Sequence, residues 1–222
     1  NDEPRISAAR QVSARFLLGT VPVEEDGSAY FKAPAGVPLY FQAVDADGMA
    51  YQSMRTITYL QPGERRACIG CHEPRNTAPP NRAPLAARRE PSIIRPGPDG
   101  TKPFSYPQLV QPVLDRHCVS CHGGGESAGK PAGGVVLTGD FTRSAESHTA
   151  SYRSLARRDL VPWFDSINGT EWLPRTYPGE VGARVSKLMA LVRGGHGGAS
   201  LSQDELERLA IWIDLNVPFY GA

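Results

Sequence analysis

The sequence predicts an α+β chain: a small β-rich N-terminal segment packed against a mostly helical C-terminal part, with a long irregular proline-rich connector between them. Three observations predict it. Aromatic and β-branched residues crowd residues 21–60, nine prolines fall within residues 73–107, and helical apolar periodicity is sustained only in the second half. The boundaries drawn on this basis are 1–73 for the β-rich segment, 74–105 for the connector and 106–222 for the helical domain.

In the first segment, residues 28–32, 39–44 and 49–59 read as strands. Asp45-Ala46-Asp47-Gly48 between the last two supplies the hairpin turn. The same residues resemble the start of a calcium loop, but no glutamate stands where that loop needs its bidentate ligand, which leaves the turn.

Immediately after the strands comes Cys68-Ile69-Gly70-Cys71-His72, and the pattern returns as Cys118-Val119-Ser120-Cys121-His122. Together the two copies use all four cysteines of the chain and two of its five histidines. Each is the attachment pattern of a c-type haem. Two thiols three positions apart on a helical turn reach the two vinyl groups of one porphyrin, and the next histidine falls beneath the iron. The expected cofactors are therefore two covalently bound haem c groups, held by Cys68 and Cys71 and by Cys118 and Cys121, with His72 and His122 as proximal ligands. A structural zinc explains the cysteines less well. Zinc ribbons keep their pairs about 15–20 residues apart, whereas 46 residues lie between Cys71 and Cys118. A redox dithiol needs only one pair, and neither alternative uses the trailing histidines.

The connector combines its prolines with six arginines or lysines. Proline removes a donor and fixes φ, so neither a long helix nor a central strand forms there. Arg75, Arg82, Arg88 and Arg89 are suited to pairing with haem propionates, although solvated linker charge is the commoner fate of such residues.

The helical part becomes a cytochrome c-like domain once the second motif is placed in it. A short helix carrying Leu109, Val110, Val113 and Leu114 leads into Cys118, with Pro107 or Pro112 accommodated in its first turn. A second helix over residues 180–193 puts Val181, Val185, Leu188, Met189 and Val192 on one face and stops at Gly194. The third opens with a capping box of Ser202 and Glu205, carries Leu206, Leu209, Ala210 and Ile213, and ends by Pro218. Residues 139–175 between them are mixed loop, with Trp163, Phe164 and Trp172 expected to cover a haem edge or fill the core.

The sixth ligand sets much of a haem's chemistry: a second histidine suits a low-potential carrier, methionine raises the potential, and an open position admits substrate. His196 lies in Arg193-Gly194-Gly195-His196-Gly197-Gly198, where glycines allow close approach to a porphyrin face, and is the expected distal ligand of the second haem. For the first haem His117 and Met54 rank level, His148 follows, and an open iron is the remaining option. Met49, five positions before Met54, projects from the opposite face of that strand.

Composition bounds the rest. A net charge of +1 over 222 residues suggests neither nucleic acid nor an anionic membrane surface as partner. No apolar run approaches the roughly 18 residues of a spanning helix. Because this haem attachment takes place outside the cytoplasmic membrane, the expected location is the bacterial periplasm or an extracellular surface, with Asn1 the start of a processed or excised chain. The GxSxG match of residues 125–129 and the glycine-rich match beside it lack the preceding strand those motifs need. Asn168-Gly169-Thr170 reads as a turn rather than a glycosylation site.

Longer runs carry a family resemblance. Pro22-Val23-Glu24-Glu25-Asp26-Gly27-Ser28-Ala29-Tyr30-Phe31, Gln52-Ser53-Met54-Arg55, Pro62-Gly63-Glu64-Arg65-Arg66-Ala67, Gly182-Ala183-Arg184-Val185-Ser186-Lys187-Leu188 and the ending Trp212-Ile213-Asp214-Leu215-Asn216-Val217-Pro218-Phe219-Tyr220-Gly221 resemble the carboxy-terminal part of hydrazine synthase alpha-subunit-like proteins. The resemblance implies a β-rich segment on two c-type haems, the second with two histidine ligands, in agreement with His196. It does not carry over the family's catalysis: the tyrosine four positions after the first motif histidine is replaced here by Asn76, and the propeller preceding this region in the family is not in the sequence.

The resulting expectation is a dihaem c-type cytochrome, or the dihaem domain of a larger one, passing electrons between redox partner proteins. Two other readings stay open: a peroxidase-like or hydrazine-synthase-like redox enzyme with an open or labile first haem, and a module whose haems stack between subunits of a homo-oligomer.

Overall fold

The structure is a computed structural model that describes residues 6–8, 14–54, 56–70, 76, 82–124, 129–142, 147–164 and 177–221. Mixed α and β structure is present, with a small two-stranded sheet and six short helices among these residues. Two compact units interleave along the sequence: one comprises Asn1–Phe16, Ala43–Tyr51 and Pro103–Ala222, the other Leu17–Gln42 and Gln52–Lys102.

Strand β1 (Gln42–Val44) and strand β2 (Ala50–Ser53) flank the expected turn. The Asp45 carboxylate accepts from the amides of Asp47 and Met49 at 2.9 and 3.0 Å, closing the loop. Regular β structure is shorter than the sequence suggests. Residues 28–32 form no strand, and 49–59 reduce to β2 followed by a single bridge from Leu39 to Thr58. The reason lies in the partners available. Phe31, in the expected strand 28–32, bridges to Ser92, and Thr20 bridges to Arg95; Pro91 and Pro96 beside those partners have no N–H with which to extend the pairing. That stretch is bound into the second unit: Ser92 donates to the Tyr30 carbonyl at 2.8 Å, and Arg89 pairs with Glu24 at 2.7 Å.

In the first unit, α1 (Tyr106–Leu109) and α2 (Gln111–His117) are separated at Val110, and each carries a proline near its start, where the missing N–H costs nothing. Helix α3 (Val119–His122) follows directly. Helix α4 (Ala150–Leu155) is capped by Thr149, whose hydroxyl accepts from the Tyr152 amide. The helix expected over residues 180–193 is interrupted. A 3-10 turn, Gly182–Val185, precedes α5 (Lys187–Arg193), and Ser186 is extended between them, its hydroxyl accepting from the Met189 amide. Serine competes for its own backbone in this way wherever a helix can restart. Val185, placed on the apolar stripe by periodicity, is consequently 49% exposed.

Helix α6 (Gln203–Asp214) has the expected capping box, with both Ser202 and Glu205 engaged. Its buried side supplies Trp212 to an aromatic core with Tyr106, Tyr152 and Phe219, where neighbouring rings lie 4.8–6.0 Å apart. Such tilted and edge-on contacts add to the area term of burial. Among the described residues no helix is long and apolar enough to cross a membrane.

Candidate haem sites

The second motif lies on one helical turn. The amide of Cys118 donates to the Leu114 carbonyl, ending α2, and the amides of Cys121 and His122 donate to the Cys118 carbonyl at 3.1 and 2.9 Å. That turn sets Cys118, Cys121 and His122 in the one-turn arrangement a thioether-linked porphyrin requires. The thiols of Cys118 and Cys121 are free, the first half-buried and the second exposed. Burial, with Cys121 nearby, pushes the Cys118 thiol up from its ordinary pKa.

His122 is oriented by two contacts. Its carbonyl accepts from the Leu137 amide at 2.8 Å, and its Nδ1 lies 3.2 Å from the Val135 carbonyl oxygen. A metal-binding imidazole commonly gives its second nitrogen's proton to a backbone carbonyl, which turns the other nitrogen toward the metal. The segment carrying Val135 and Leu137 is itself anchored, because Gln111 donates to the Leu137 carbonyl at 3.0 Å and receives the Ser151 hydroxyl.

Facing His122 is His196, with ring centroids 6.0 Å apart and planes 29° from parallel. A ligating imidazole nitrogen sits about 2 Å from a divalent metal and its ring centroid about 1.1 Å further out, so two imidazoles on opposite sides of one ion are about 6 Å apart. The observed spacing fits one metal between them. His196 is exposed and begins a 3-10 turn, His196–Gly198, set between Gly195 and Gly197, both with positive φ. Glycine alone adopts that backbone without strain.

The other candidates fall elsewhere. His117 turns its Nε2 to the Glu205 carboxylate, 3.1 and 3.2 Å from the two oxygens. His148 is buried between Tyr152 and Phe219, 4.7 Å from each ring centroid. Met54 accepts the Phe41 amide on its sulfur at 3.4 Å, and Met49 is buried with its sulfur 3.7 Å from Arg193. Of the first motif, Cys68, Ile69 and Gly70 are exposed; Cys71 and His72 lie outside the described residues, as do Arg75 and Trp172. Asn76 is exposed. Trp163 packs locally, donating to the Ala156 carbonyl with Arg158 over its ring. Sequence reasoning found Glu205 only as a capping residue and did not find the Val135 carbonyl, since backbone acceptors leave no residue-type signal.

Two groups outside the pattern are electrostatically unusual. Burial pushes the Asp214 carboxyl up to about 6, against the pull of the Ala50 and Ala183 amides that it accepts at 2.8 and 2.7 Å. Burial also acts upward on Glu205, but the Ser202 amide, His117 and the Ser202 hydroxyl outweigh it and bring that carboxyl to about 2.

The chain is of mixed α and β structure, and comparisons of its fold and sequence point to one family. The fold matches a solved chain of Kuenenia stuttgartiensis hydrazine synthase with a TM-score of 0.63 over 92% of this chain and 33% of that one. At 22% identity the likeness is one of fold. Residues 3–73 match the family model for the hydrazine synthase alpha subunit middle domain. The hydrazine synthase subunit alpha of the same organism is 41% identical over 58 residues, which are 26% of this chain and 7% of that protein. The chain is thus hydrazine synthase alpha-subunit-like, and it spans about a third of the solved chain it matches.

Proposed function

We propose that this chain is a dihaem c-type cytochrome, or the dihaem region of a larger one, that passes single electrons between partner proteins outside the cytoplasm. The observation carrying the proposal is the 6.0 Å pairing of His122 with His196, beside two free thiols on the turn that bears His122. The donor set fits the group: two thiols for the vinyl carbons, one imidazole whose Nδ1 is held by a carbonyl, and a second imidazole whose ring centroid lies 6.0 Å from the first. Cys68, Cys71 and His72 repeat the set in sequence. When bound, the haem iron supplies a one-electron couple. The chain's residues supply the rest. His122 and His196 would hold the iron, and the Val135 carbonyl, accepting from Nδ1, would fix the tautomer and raise the basicity of His122.

A second reading is a redox enzyme whose first iron is open, and the similarity of residues 3–73 to a hydrazine synthase alpha subunit favours it. Asn76, standing where the family's tyrosine would, weighs against the same chemistry at that iron. Absorption spectra of the purified chain, oxidised and reduced, with and without carbon monoxide, separate the two. Two low-spin haems that ignore carbon monoxide support the carrier, one high-spin, carbon monoxide-binding haem supports the enzyme, and a colourless protein ends both.

A further inference from the structure

One carboxylate links the segment that carries His122 to the segment that carries His196. Glu205 stands in the first turn of α6 with its side chain 5% exposed. On one side it is held by the end of α2, through Arg116 and through His117, the residue that directly precedes Cys118. On the other it accepts the Ser202 amide at 2.8 Å and the Ser202 hydroxyl at 3.0 Å. Ser202 lies six residues beyond His196, and the 3-10 turn and a short extended stretch are all that separate them.

We infer that Glu205 is a positioning residue for six-coordination at the second haem: by clamping His117 and Ser202 with one carboxylate it fixes how far apart His122 and His196 stand. The inference rests on the dihaem reading above. A capping glutamate elsewhere serves its own helix end and needs no partner beyond the N-cap. Here the same oxygens also receive a histidine and an arginine from another helix, and a carboxylate so buried is held in one place by its donors. The glycines around His196 give that loop no rigidity of their own. Rigidity must enter through its flanks, and Ser202 with Glu205 provides it on the C-terminal side.

The test compares the haem-loaded wild-type chain with Glu205→Gln, which keeps the shape but replaces one accepting oxygen by a donor facing Ser202 or His117. His196→Ala serves as the reference for a second haem with an open distal side. The expected result is a rise of about tenfold in the carbon monoxide-reactive fraction of reduced protein, the scale of a modest population shift, with the difference spectrum of the His196→Ala variant. A folded Glu205→Gln protein that stays low-spin and unreactive overturns the inference. If that variant does not fold, Arg116→Ala and Ser202→Ala, singly and together, carry the test: increasing carbon monoxide reactivity supports the clamp, and none in the double variant overturns it. A wild-type protein without haem absorption bands instead defeats the dihaem reading itself, so the two failures are distinguishable.

Discussion

The imidazole rings of His122 and His196 lie with centroids 6.0 Å apart and planes 29° from parallel. The His122 carbonyl accepts the Leu137 amide, and His196 opens a 3-10 turn between two glycines of positive φ. Replacing His196 by methionine therefore keeps a ligand in reach while changing its chemistry. The second haem's midpoint potential is expected to rise by more than about 100 mV, within the roughly 0.8 V that axial ligands command. Potentiometric titration followed optically checks this; an unchanged potential would mean that His196 is not the ligand.

Gly182 and Asp214 meet so closely that a Cβ on the glycine would stand 2.0 Å from the carboxylate oxygen. Gly182 also has φ +65°, a region that costs other residues about 1–2 kcal/mol. Gly182→Ala is expected to lose on the order of 3 kcal/mol in urea unfolding, strain and overlap combined. Gly27→Ala is the control. With φ +80° and nothing within 4 Å of its Cβ, it should lose only the backbone part.

How much of this was legible in the sequence depends on how local its cause is. The capping box of α6, the turn at Asp45, and the cysteines and histidines of both motifs are written in neighbouring residues and could be read directly. The break at Ser186 could not, because the apolar stripe runs through it, and one of the contacts at the break, from the Ala183 amide to Asp214, joins residues far apart along the chain. The short strands escaped for the same reason: Phe31 has strand-like neighbours, but its partner Ser92 belongs to a proline-rich run. Glycines mark the loop of His196 in the sequence, whereas the second partners of Glu205 lie 88 and 89 residues away along the chain.

Stability should pass through a maximum in mild acid. Asp214 is raised from 3.8 to about 6 by burial, with Asp45 adding and Arg184 opposing. A raised folded-state value means that the native protein binds the proton more tightly, so its stabilisation is complete below pH 3.8 and lost as pH rises through 6. The swing is on the order of 3 kcal/mol for so buried a group. Glu205, lowered from 4.5 to about 2, works the other way: its contribution is present above 4.5 and disappears as pH falls toward 2. Unfolding free energies of the haem-loaded chain should therefore rise from pH 7 to about pH 4.5 and then fall. In Asp214→Asn the first limb should flatten, and in Glu205→Gln the second; a wild-type profile that falls steadily from pH 7 contradicts the assignment to Asp214.

The Tyr152 hydroxyl closes the core against the chain's end. It donates to the Val217 carbonyl at 2.5 Å and accepts the Ala8 amide at 2.6 Å, while its ring packs 4.8 Å from Phe219. Val217 has φ +52°, a conformation that a β-branched residue adopts only when its surroundings impose it. Tyr152→Phe keeps the ring and removes both bonds, leaving a buried carbonyl and an amide without their partner at about 1–3 kcal/mol each. A loss of about 2–4 kcal/mol is expected in urea unfolding, together with faster amide exchange at Ala8 and a lengthened trypsin- or chymotrypsin-sensitive window at the C-terminus. A loss under about 0.5 kcal/mol, the range of an unremarkable surface change, would show that Val217 is held by its burial alone.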